Sequence, residues 1–431
     1  MMSSVARIGR SSPLLGVALV VYWAVRRANR RRTAEEERAN RGGEILIHHQ
    51  IDAGLLHGFA ELESTDRGWL PHRLPRRARE QCDDPQLLGA QSQPSGVRFV
   101  FRTRATVIEL DIVRTRMVLI GVPERPSGTV DLIVDGQLAR QATTSGGDVV
   151  RVDPATGKSA VETGPVATVR FDGLSAEDKD VELWLPHHER TLLVALRTDA
   201  PVGVVQDDRK RWVHHGSSIS QGSNAASPST TWPAVAAARA GLHLVNLGLS
   251  GSALLDPFTA RAIRDQPADV VSVKLGINLV NADLLRQRAF GPAVHGFLDT
   301  IRDGHPDIPL VVVSPLYCPI HETTPGPGAF DADALANGEL RFIATGDPDD
   351  AARPGGLGRL TLTYIRRQLA AIVSHRKRAD SHISYVDGLA LYGPEDAARL
   401  PLPDQLHADA STHLLIGRRF ADSALRPLAA N

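Results

Sequence analysis

The chain has 431 residues, of which 42% are hydrophobic and 23% are charged. That is the composition of a globular protein, and the length favours two domains over one. The 49 Lys and Arg residues balance 49 Asp and Glu residues, so no overall charge indicates a nucleic-acid or acidic partner. The two cysteines, Cys82 and Cys318, have no CxxC neighbour, which excludes a disulfide framework and argues against a zinc or redox site built on them.

Residues 1–43 form a basic and apolar N-terminal extension. Its apolar run, residues 13–25, is shorter than the roughly 20 residues that span a bilayer. Five arginines follow the run between positions 26 and 32, the reverse of the order in a secretory signal. We therefore expect a cytoplasmic protein. The alternative is membrane association through residues 13–32.

Residues 44–205 are predicted to form an antiparallel β-sandwich. Short apolar or alternating runs recur between positions 97 and 196, and no helical pattern of ten residues interrupts them. Asp135-Gly136 and Asp172-Gly173 are typical hairpin turns.

Residues 206–431 change to an alternation of strand and helix. Apolar strand patterns are separated by helical ones, which predicts a three-layer α/β/α domain of the flavodoxin-like class with a parallel sheet of about five strands. A stretch rich in Pro, Gly and Asp, residues 317–360, interrupts the pattern. We expect it to be a loop with little regular structure that overhangs the functional site, where His321 and Glu322 are candidates for substrate contact.

Four short blocks follow the strands of this second part. Ligands of open parallel sheets lie beyond the carboxyl ends of the strands, so these blocks are expected to converge. They are "GSSISQG" (216–222), "NLGLSGS" (246–252), "GIN" (276–278) and "DQLH" (404–407).

In order and spacing, these blocks resemble those of the SGNH/GDSL esterase and lipase superfamily. The resemblance covers about residues 205–431, and the preceding sandwich resembles a branch of that superfamily with an N-terminal jelly-roll-like domain. It implies that Ser218 is the nucleophile, that His407 is the general base and then acid, and that Asp404 orients the imidazole. It also implies an oxyanion hole formed by the backbone amides of Ser218 and Gly251 and by the side chain of Asn278.

Elementary chemistry supports the same assignment. A serine hydroxyl is a poor nucleophile unless a base takes its proton, and one histidine oriented by one carboxylate is enough. The alternative is that Ser217, Ser218 and Ser220 only satisfy turn and capping bonds, and we keep that interpretation for Ser217 and Ser220. The sequence departs from the superfamily where an aspartate usually precedes the nucleophile (Ser217) and where one usually follows the asparagine (Leu279).

The sequence therefore predicts a serine carboxylic-ester hydrolase that forms an acyl-enzyme and needs no cofactor or metal. Adjacent histidines at 48–49, 187–188 and 214–215 point to opposite faces of a strand and cannot share one ion. The substrate is a small-molecule or glycan ester, and a carbohydrate acetyl esterase is one form of this function by fold analogy. The competing hypothesis is a catalytically silent module that binds a glycan or lipid. A dinucleotide enzyme is set aside because the chain lacks a complete GxGxxG.

Overall fold

A computed structural model describes residues 45–143, 145–153 and 156–429. The extension predicted over residues 1–43, and with it the suggested membrane contact through 13–32, lies outside the described residues. Among the helices that are described, none is long and apolar enough to cross a membrane.

The first part of the chain is built from two β-sheets. Its strands are β1 (Ile47–His49), β2 (Leu56–His57), β3 (Glu61–Thr65), β4 (Gly68–His72), β5 (Arg98–Thr103), β6 (Ile108–Leu119), β7 (Thr129–Val134), β8 (Gln137–Thr143), β9 (Asp148–Val152), β10 (Ser159–Glu162), β11 (Ala167–Phe171), β12 (Lys179–Trp184), β13 (Arg190–Thr198) and β14 (Val202–Gly203). One sheet has the order β10, β9, β6, β13, β4, β3, with β11 also paired to β6. The other has the order β14, β5, β12, β7, β8, with β2 paired to β5.

The two sheets share one apolar core, to which alternate residues of the central strands contribute. Phe99, Phe101 and Leu183 of the second sheet pack with Leu110 and Leu193 of the first, and all five are buried. Burying a side chain of this size stabilises the folded state by about 1.5–3 kcal/mol. The predicted sandwich is thus present, and its pairing is antiparallel except between β6 and β9.

One of the two predicted hairpins is wrong. Asp135-Gly136 does connect the antiparallel strands β7 and β8. Asp172-Gly173 instead carries the chain from β11, which pairs with β6, to β12, which belongs to the other sheet. A turn dipeptide fixes the local bend but not the partner of the next strand. Two short helices, α1 (Arg76–Arg79) and α2 (Pro85–Gln91), also lie between β4 and β5.

The second part contains the predicted parallel sheet with helices on both faces. The sheet order is β16 (His243–Gly248), β15 (Arg211–Gly216), β17 (Val270–Lys274), β18 (Leu310–Val313) and β21 (Ile383–Val386). The helices are α3 (Ser218–Gln221), α4 (Trp232–Ala240), α5 (Pro257–Arg264), α6 (Ile277–Asn281), α7 (Gln287–Gly304), α8 (Ala332–Ala336), α9 (Leu362–Arg376), α10 (Gly388–Leu391), α11 (Pro394–Arg399), α12 (Ala410–Phe420) and α13 (Arg426–Ala429). A π-helical turn, Ala421–Leu425, joins α12 to α13, and 3-10 turns occupy Pro228–Thr230, Pro319–His321 and Pro348–Ala352.

The stretch from 317 to 360 has more regular structure than its composition predicts. It contains a β-hairpin formed by β19 (Gly328–Phe330) and β20 (Phe342–Ala344), besides α8. The rings of Phe330 and Phe342 lie 5.1 Å apart across the hairpin. This aromatic pair stabilises strands that the surrounding Pro and Gly residues alone do not favour.

Buried polar side chains join the two parts. Asp131 of β7 is completely buried and accepts hydrogen bonds from the hydroxyls of Ser227 and Ser229. Arg98 of β5 donates to the carbonyl oxygen of Leu244 in β16. The boundary predicted at 205/206 falls between β14 and β15, and the chain from His48 onward forms one compact unit.

Candidate active site

Ser218 lies at the turn where β15 ends and α3 begins. The residue two positions earlier, Gly216, packs so closely on this turn that a Cβ there would collide with the Ser220 hydroxyl. A strand that ends in such a sharp turn places the next side chain beyond the carboxyl edge of the sheet. Ser218 is 7% exposed, so its hydroxyl is set in the protein rather than on an open surface.

His407 and Asp404 meet Ser218 although 189 positions separate His407 from it. The His407 Nε2 atom lies 3.0 Å from the Ser218 Oγ atom, and the His407 Nδ1 atom lies 2.8 Å from Asp404 Oδ2. With Nδ1 protonated and donating to the carboxylate, Nε2 is free to accept the hydroxyl proton. The structure thus brings together the three residues for which the sequence predicts a triad.

The backbone around Asp404 holds the carboxylate in place. Asp404 Oδ1 accepts hydrogen bonds from the backbone N–H groups of Leu406 and His407, at 3.0 Å and 2.6 Å. Burial alone would raise the pKa of Asp404, but its hydrogen bonds with His407 outweigh burial and lower that pKa. Asp404 therefore stays ionised at neutral pH, as a residue that orients an imidazolium requires.

Gly251 and Asn278, the predicted oxyanion donors, line the same cavity as Ser218 and His407. Gly251 has φ +74°, a left-handed conformation that glycine adopts without strain. The Asn278 side chain is 3% exposed, and its Oδ1 atom accepts a hydrogen bond from the backbone N–H of Ala253 at 3.1 Å. This bond orients the amide, so Nδ2 is the atom of Asn278 that remains to donate.

The two departures from the superfamily pattern have different surroundings. Leu279 is buried in the apolar core of the second part. Ser217 is buried beside Lys274 of β17, whose Nζ atom lies 3.4 Å from the Ser217 hydroxyl. Burial lowers the pKa of Lys274 to about 8. A lysine next to position 217 is a contact that the sequence alone did not indicate.

Ser220 has a structural role, but its partner is a buried histidine and not the turn or capping groups that the sequence suggested. Its hydroxyl lies 2.8 Å from His214 Nε2, and His214 Nδ1 lies 2.7 Å from the Ser272 hydroxyl. All three residues are fully buried beneath the sheet edge. Burial holds the pKa of His214 well below its usual range, so the imidazole is neutral.

The cavity above Ser218 has a volume of about 540 Å³ and is walled by both parts of the chain. The second part of the chain, residues 206–431, contributes Ser218, Gly251, Asn278 and His407. The sandwich contributes the segment 116–119, the segment 122–126 and the residues 187–189. These sandwich residues were not predicted from the sequence, because no motif marks them.

Arg73 connects the sandwich part to the strand ends of the site. Its guanidinium is buried and has no carboxylate partner among the described residues; burial lowers its pKa to about 9. Its hydrogen-bond acceptors are the carbonyl oxygens of Ala90, Gln93, Asn246 and Gly248 and the side-chain oxygen of Gln221. Gln221 Oε1 also accepts from the backbone N–H of Ser250, beside Gly251. Arg73 thus supports the turn that presents Gly251.

The 317–360 stretch covers one side of the cavity, as predicted. The Phe342 ring stands edge-on to the His407 ring at 5.5 Å, and the Phe342 N–H donates to the Asp404 carbonyl oxygen. His321 and Glu322, however, do not line the cavity. His321 is buried, and the Glu322 carboxylate pairs with Arg366 at 2.5 Å, so both hold the stretch in place.

One group of described residues has the spacing of metal ligands, outside the catalytic cavity. Ligand atoms of His57, Asp207 and His243 all lie within 4.8 Å of one another. Both Asp207 oxygens already accept hydrogen bonds from Arg209, and Oδ2 also contacts His243 Nδ1. A guanidinium on the carboxylate disfavours a second cation there. Of the cysteines, Cys318 is buried and Cys82 is half-buried.

Two protein-family models match parts of the chain. Residues 209–319 match the family model described as GDSL-like lipase/acylhydrolase, and residues 55–194 match that of the SsfX3 N-terminal domain. No curated protein sequence matches the chain. Among solved structures, the chain is similar to a salicylyl-acyltransferase, SsfX3, from a tetracycline biosynthetic pathway, with 28% identity and a TM-score of 0.70 over 89% of this chain and 98% of that one.

Two more distant structures share the fold. A putative GDSL-like lipase from Bacteroides ovatus is 20% identical, with a TM-score of 0.58 over 88% of this chain and 95% of that one. A family two carbohydrate esterase from Clostridium thermocellum, in complex with cellohexaose, is 14% identical, with a TM-score of 0.51 over 78% and 93%.

Proposed function

Because the chain belongs to the GDSL-like lipases and acylhydrolases over residues 209–319, we propose that it acts on carboxylic esters through an acyl-enzyme on Ser218. The observation that carries this proposal is the 3.0 Å contact between Ser218 Oγ and His407 Nε2, with Asp404 behind the imidazole. Ser218 and His407 line a cavity large enough for a small ester.

The proposed reaction has two halves. His407 Nε2 takes the Ser218 proton as Oγ attacks the ester carbonyl, and Asp404 stabilises the imidazolium that forms. The carbonyl oxygen becomes an oxyanion, which meets the N–H groups of Ser218 and Gly251 and the amide of Asn278. When the intermediate collapses, the alcohol leaves with the proton from His407. An acceptor hydroxyl then attacks the acyl-enzyme in the same way and releases Ser218.

Water as the acceptor makes the protein an esterase, and this is the function that we propose first. The second candidate is acyl transfer, in which an alcohol takes the place of water. The similarity that favours it is the 28% identity, over 89% of this chain, with a structure described as a salicylyl-acyltransferase. A cavity walled on several sides suits the second candidate, because it limits the access of water to the acyl-enzyme.

A silent binding module is disfavoured by the hydrogen bonds themselves. A binding surface has no need of a buried hydroxyl, imidazole and carboxylate joined in series at 3.0 Å and 2.8 Å.

A carbohydrate acetyl ester remains a candidate substrate class. The aromatic residues that line the cavity are Phe330 and Phe342, and the described lining contains no Trp or Tyr to stack on a sugar. From the arginines that follow the apolar run, we propose a cytoplasmic location, with membrane association through residues 13–32 as the alternative.

The decisive test is Ser218→Ala, assayed on p-nitrophenyl acetate and butyrate. We expect kcat to fall at least about 10³-fold, because the nucleophile is lost, while the unfolding midpoint stays unchanged. Ser220→Ala is the matched control in the same helix, and we expect it to keep its turnover within a few-fold. Turnover in Ser218→Ala equal to that of the control would refute the proposal. We expect the activity in excess EDTA to equal the activity without EDTA. Adding alcohols as acceptors distinguishes hydrolysis, which releases the acid, from acyl transfer, which forms a new ester.

A further inference from the structure

The sandwich wall of the cavity contains an arginine that has no partner among the described residues. Arg125 lies in the segment between β6 and β7 and lines the cavity with Ser218 and His407. In the part of the chain that the structure describes, its guanidinium makes no hydrogen bond and no ion pair. An arginine has five N–H donors, so an unpartnered one in a cavity is available to a ligand.

The other charged residues of the cavity wall are already engaged. Arg116 pairs with Glu124 at 3.5 Å. Glu189 pairs with Arg114 at 3.3 Å and also accepts from the backbone N–H of Gly128. The lining therefore offers no free carboxylate that could neutralise Arg125 when the cavity is empty.

The position of Arg125 makes it accessible and yet surrounded by protein. Its side chain is open to solvent, but protein atoms on several sides of the cavity lower its pKa by burial, an effect that the Asp404 carboxylate partly opposes. The nearby His187 and His188 are neutral at pH 7, because burial lowers the pKa of each. Because Glu124 and Glu189 are each paired with another arginine, Arg125 is the charged side chain of this wall that has no counter-ion among the described residues.

A polar atom on the same wall also lacks a partner. His187 is 3% exposed, lines the cavity, and its Nδ1 atom has no hydrogen-bond partner. An imidazole nitrogen in a cavity wall can donate to a ligand or accept from one, depending on its tautomer. The sandwich wall thus presents a second polar group beside Arg125, opposite the wall that carries Ser218.

We propose that Arg125 binds an anionic group, a carboxylate or a phosphate, on the substrate whose ester bond Ser218 attacks. This proposal rests on the proposed function and names its substrate class: esters that carry a negative charge on either the acyl or the alcohol side. A guanidinium recognises such oxygens with two parallel charge-assisted hydrogen bonds, which neutral esters of the same size cannot make.

The test compares matched pairs of esters that differ in charge. On the acyl side, the pair is the p-nitrophenyl monoester of succinate and p-nitrophenyl 4-methylpentanoate. On the alcohol side, the pair is 4-carboxyphenyl acetate and its neutral methyl ester. For each pair, the ratio of kcat/KM for the anionic ester to that for the neutral ester is measured in the wild type and in Arg125→Gln, so that differences in intrinsic reactivity cancel.

We expect the ratio to fall on the order of tenfold in Arg125→Gln for one of the two pairs, and further in Arg125→Glu. The pair that responds identifies the side of the substrate that carries the charge. Arg140→Gln is the control, because Arg140 is an exposed arginine of the same sandwich that does not line the cavity. Unchanged ratios in both pairs, with normal hydrolysis of the neutral esters, would overturn the anion site and leave the proposed function intact.

A second measurement does not depend on turnover. The succinate monoester and 4-carboxyphenyl acetate are titrated calorimetrically into Ser218→Ala and into Ser218→Ala with Arg125→Gln. We expect the added substitution to weaken the binding of one of them about tenfold. Equal affinities for both would overturn the assignment of Arg125, whether or not the wild type cleaves esters. If no ester is cleaved but anion binding still depends on Arg125, the proposed function fails and the binding site remains.

Discussion

The two walls of the cavity are built in opposite ways. On the wall formed by the strand ends of the parallel sheet, Ser218, His407 and Asp404 are joined to one another, and Asn278 is held by the backbone. On the sandwich wall, Arg125 has no described partner and the Nδ1 atom of His187 has none. On the first wall the triad side chains are held by protein partners, whereas on the second wall Arg125 is not held by any described residue.

Under the proposed function, the first wall carries out the reaction and the second wall recognises the substrate. Groups that transfer protons must be fixed before the substrate arrives, because reorganising them during the reaction adds to the barrier. A polar group that is unpaired until the substrate arrives discriminates against analogues that cannot pair with it. The comparison therefore predicts that substitutions on the first wall lower kcat for every ester, whereas those on the second change which ester is preferred.

The largest effect expected within this comparison is that of Asn278→Asp. An aspartate keeps the oxygen that accepts from Ala253 N–H but removes the amide donor. We expect kcat on p-nitrophenyl acetate to fall by about 10²–10³-fold with an unchanged unfolding midpoint, the loss typical of one oxyanion donor. Asn278→Ala, which removes both atoms, is the companion variant. An Asp variant with full activity would show that Asn278 only supports the backbone.

Arg73→Lys tests how firmly the two walls are joined. A lysine ammonium has three donors on a flexible stem and cannot serve five acceptors in fixed positions. We expect the free energy of unfolding, measured in urea, to fall by about 3 kcal/mol, because buried carbonyl oxygens lose their donors. We also expect kcat to fall about tenfold, because Arg73 supports the turn that presents Gly251. Arg76→Lys, on the exposed side of α1, is the control and should change neither the free energy of unfolding nor kcat. If Arg73→Lys and Arg76→Lys have equal unfolding midpoints in urea, the role of Arg73 is contradicted.

The smallest effect concerns two carboxylates that face each other where the two parts meet. Burial, and then the charge of Asp84, raise the pKa of Asp256 to about 6. The folded protein therefore holds this proton to higher pH than the unfolded chain, and stability is lost as the pH rises from about 4 through 6. Asp256→Asn should be more stable than the wild type by about 1–2 kcal/mol at pH 8 and equal to it at pH 4.

A nearby carboxylate provides a control of opposite sign. The hydrogen bond from Arg264 lowers the pKa of Asp265, so this group stabilises the fold at neutral pH. Asp265→Asn should therefore lower the unfolding midpoint at pH 8, though only slightly, because the pair is near the surface. If both Asn variants shift the midpoint in the same direction at pH 8, the electrostatic account of Asp256 is wrong.

The strand ends of the parallel sheet could be predicted from the sequence because each is marked locally. A buried strand gives an apolar run, a tight turn gives glycine, and the order of the strands brings the four blocks to one edge. The three-layer fold and the sandwich are confirmed on this basis. The roles of Ser218, His407 and Asp404 stay predictions, which the observed distances support.

The sandwich wall could not be predicted, because nothing local marks it. Arg73 and Arg125 lie in segments with no periodic pattern. The role of each depends on residues more than a hundred positions away in the sequence. The hairpin expected at Asp172-Gly173 failed for the same reason, since the partner of a strand is a long-range property. In the 317–360 stretch, Phe330 and Phe342 pair across a β-hairpin, although the composition of this segment predicts little regular structure.

The buried Asp131 has a consequence for how such a protein can change over evolutionary time. Its carboxylate belongs to the sandwich, whereas the hydroxyls that it accepts from, Ser227 and Ser229, belong to the second part of the chain. Exchanging that second part for one without the two hydroxyls would leave the buried Asp131 Oδ2 atom without these donors. We therefore expect such an exchange to lower the stability of the fold unless the two hydroxyls come with it.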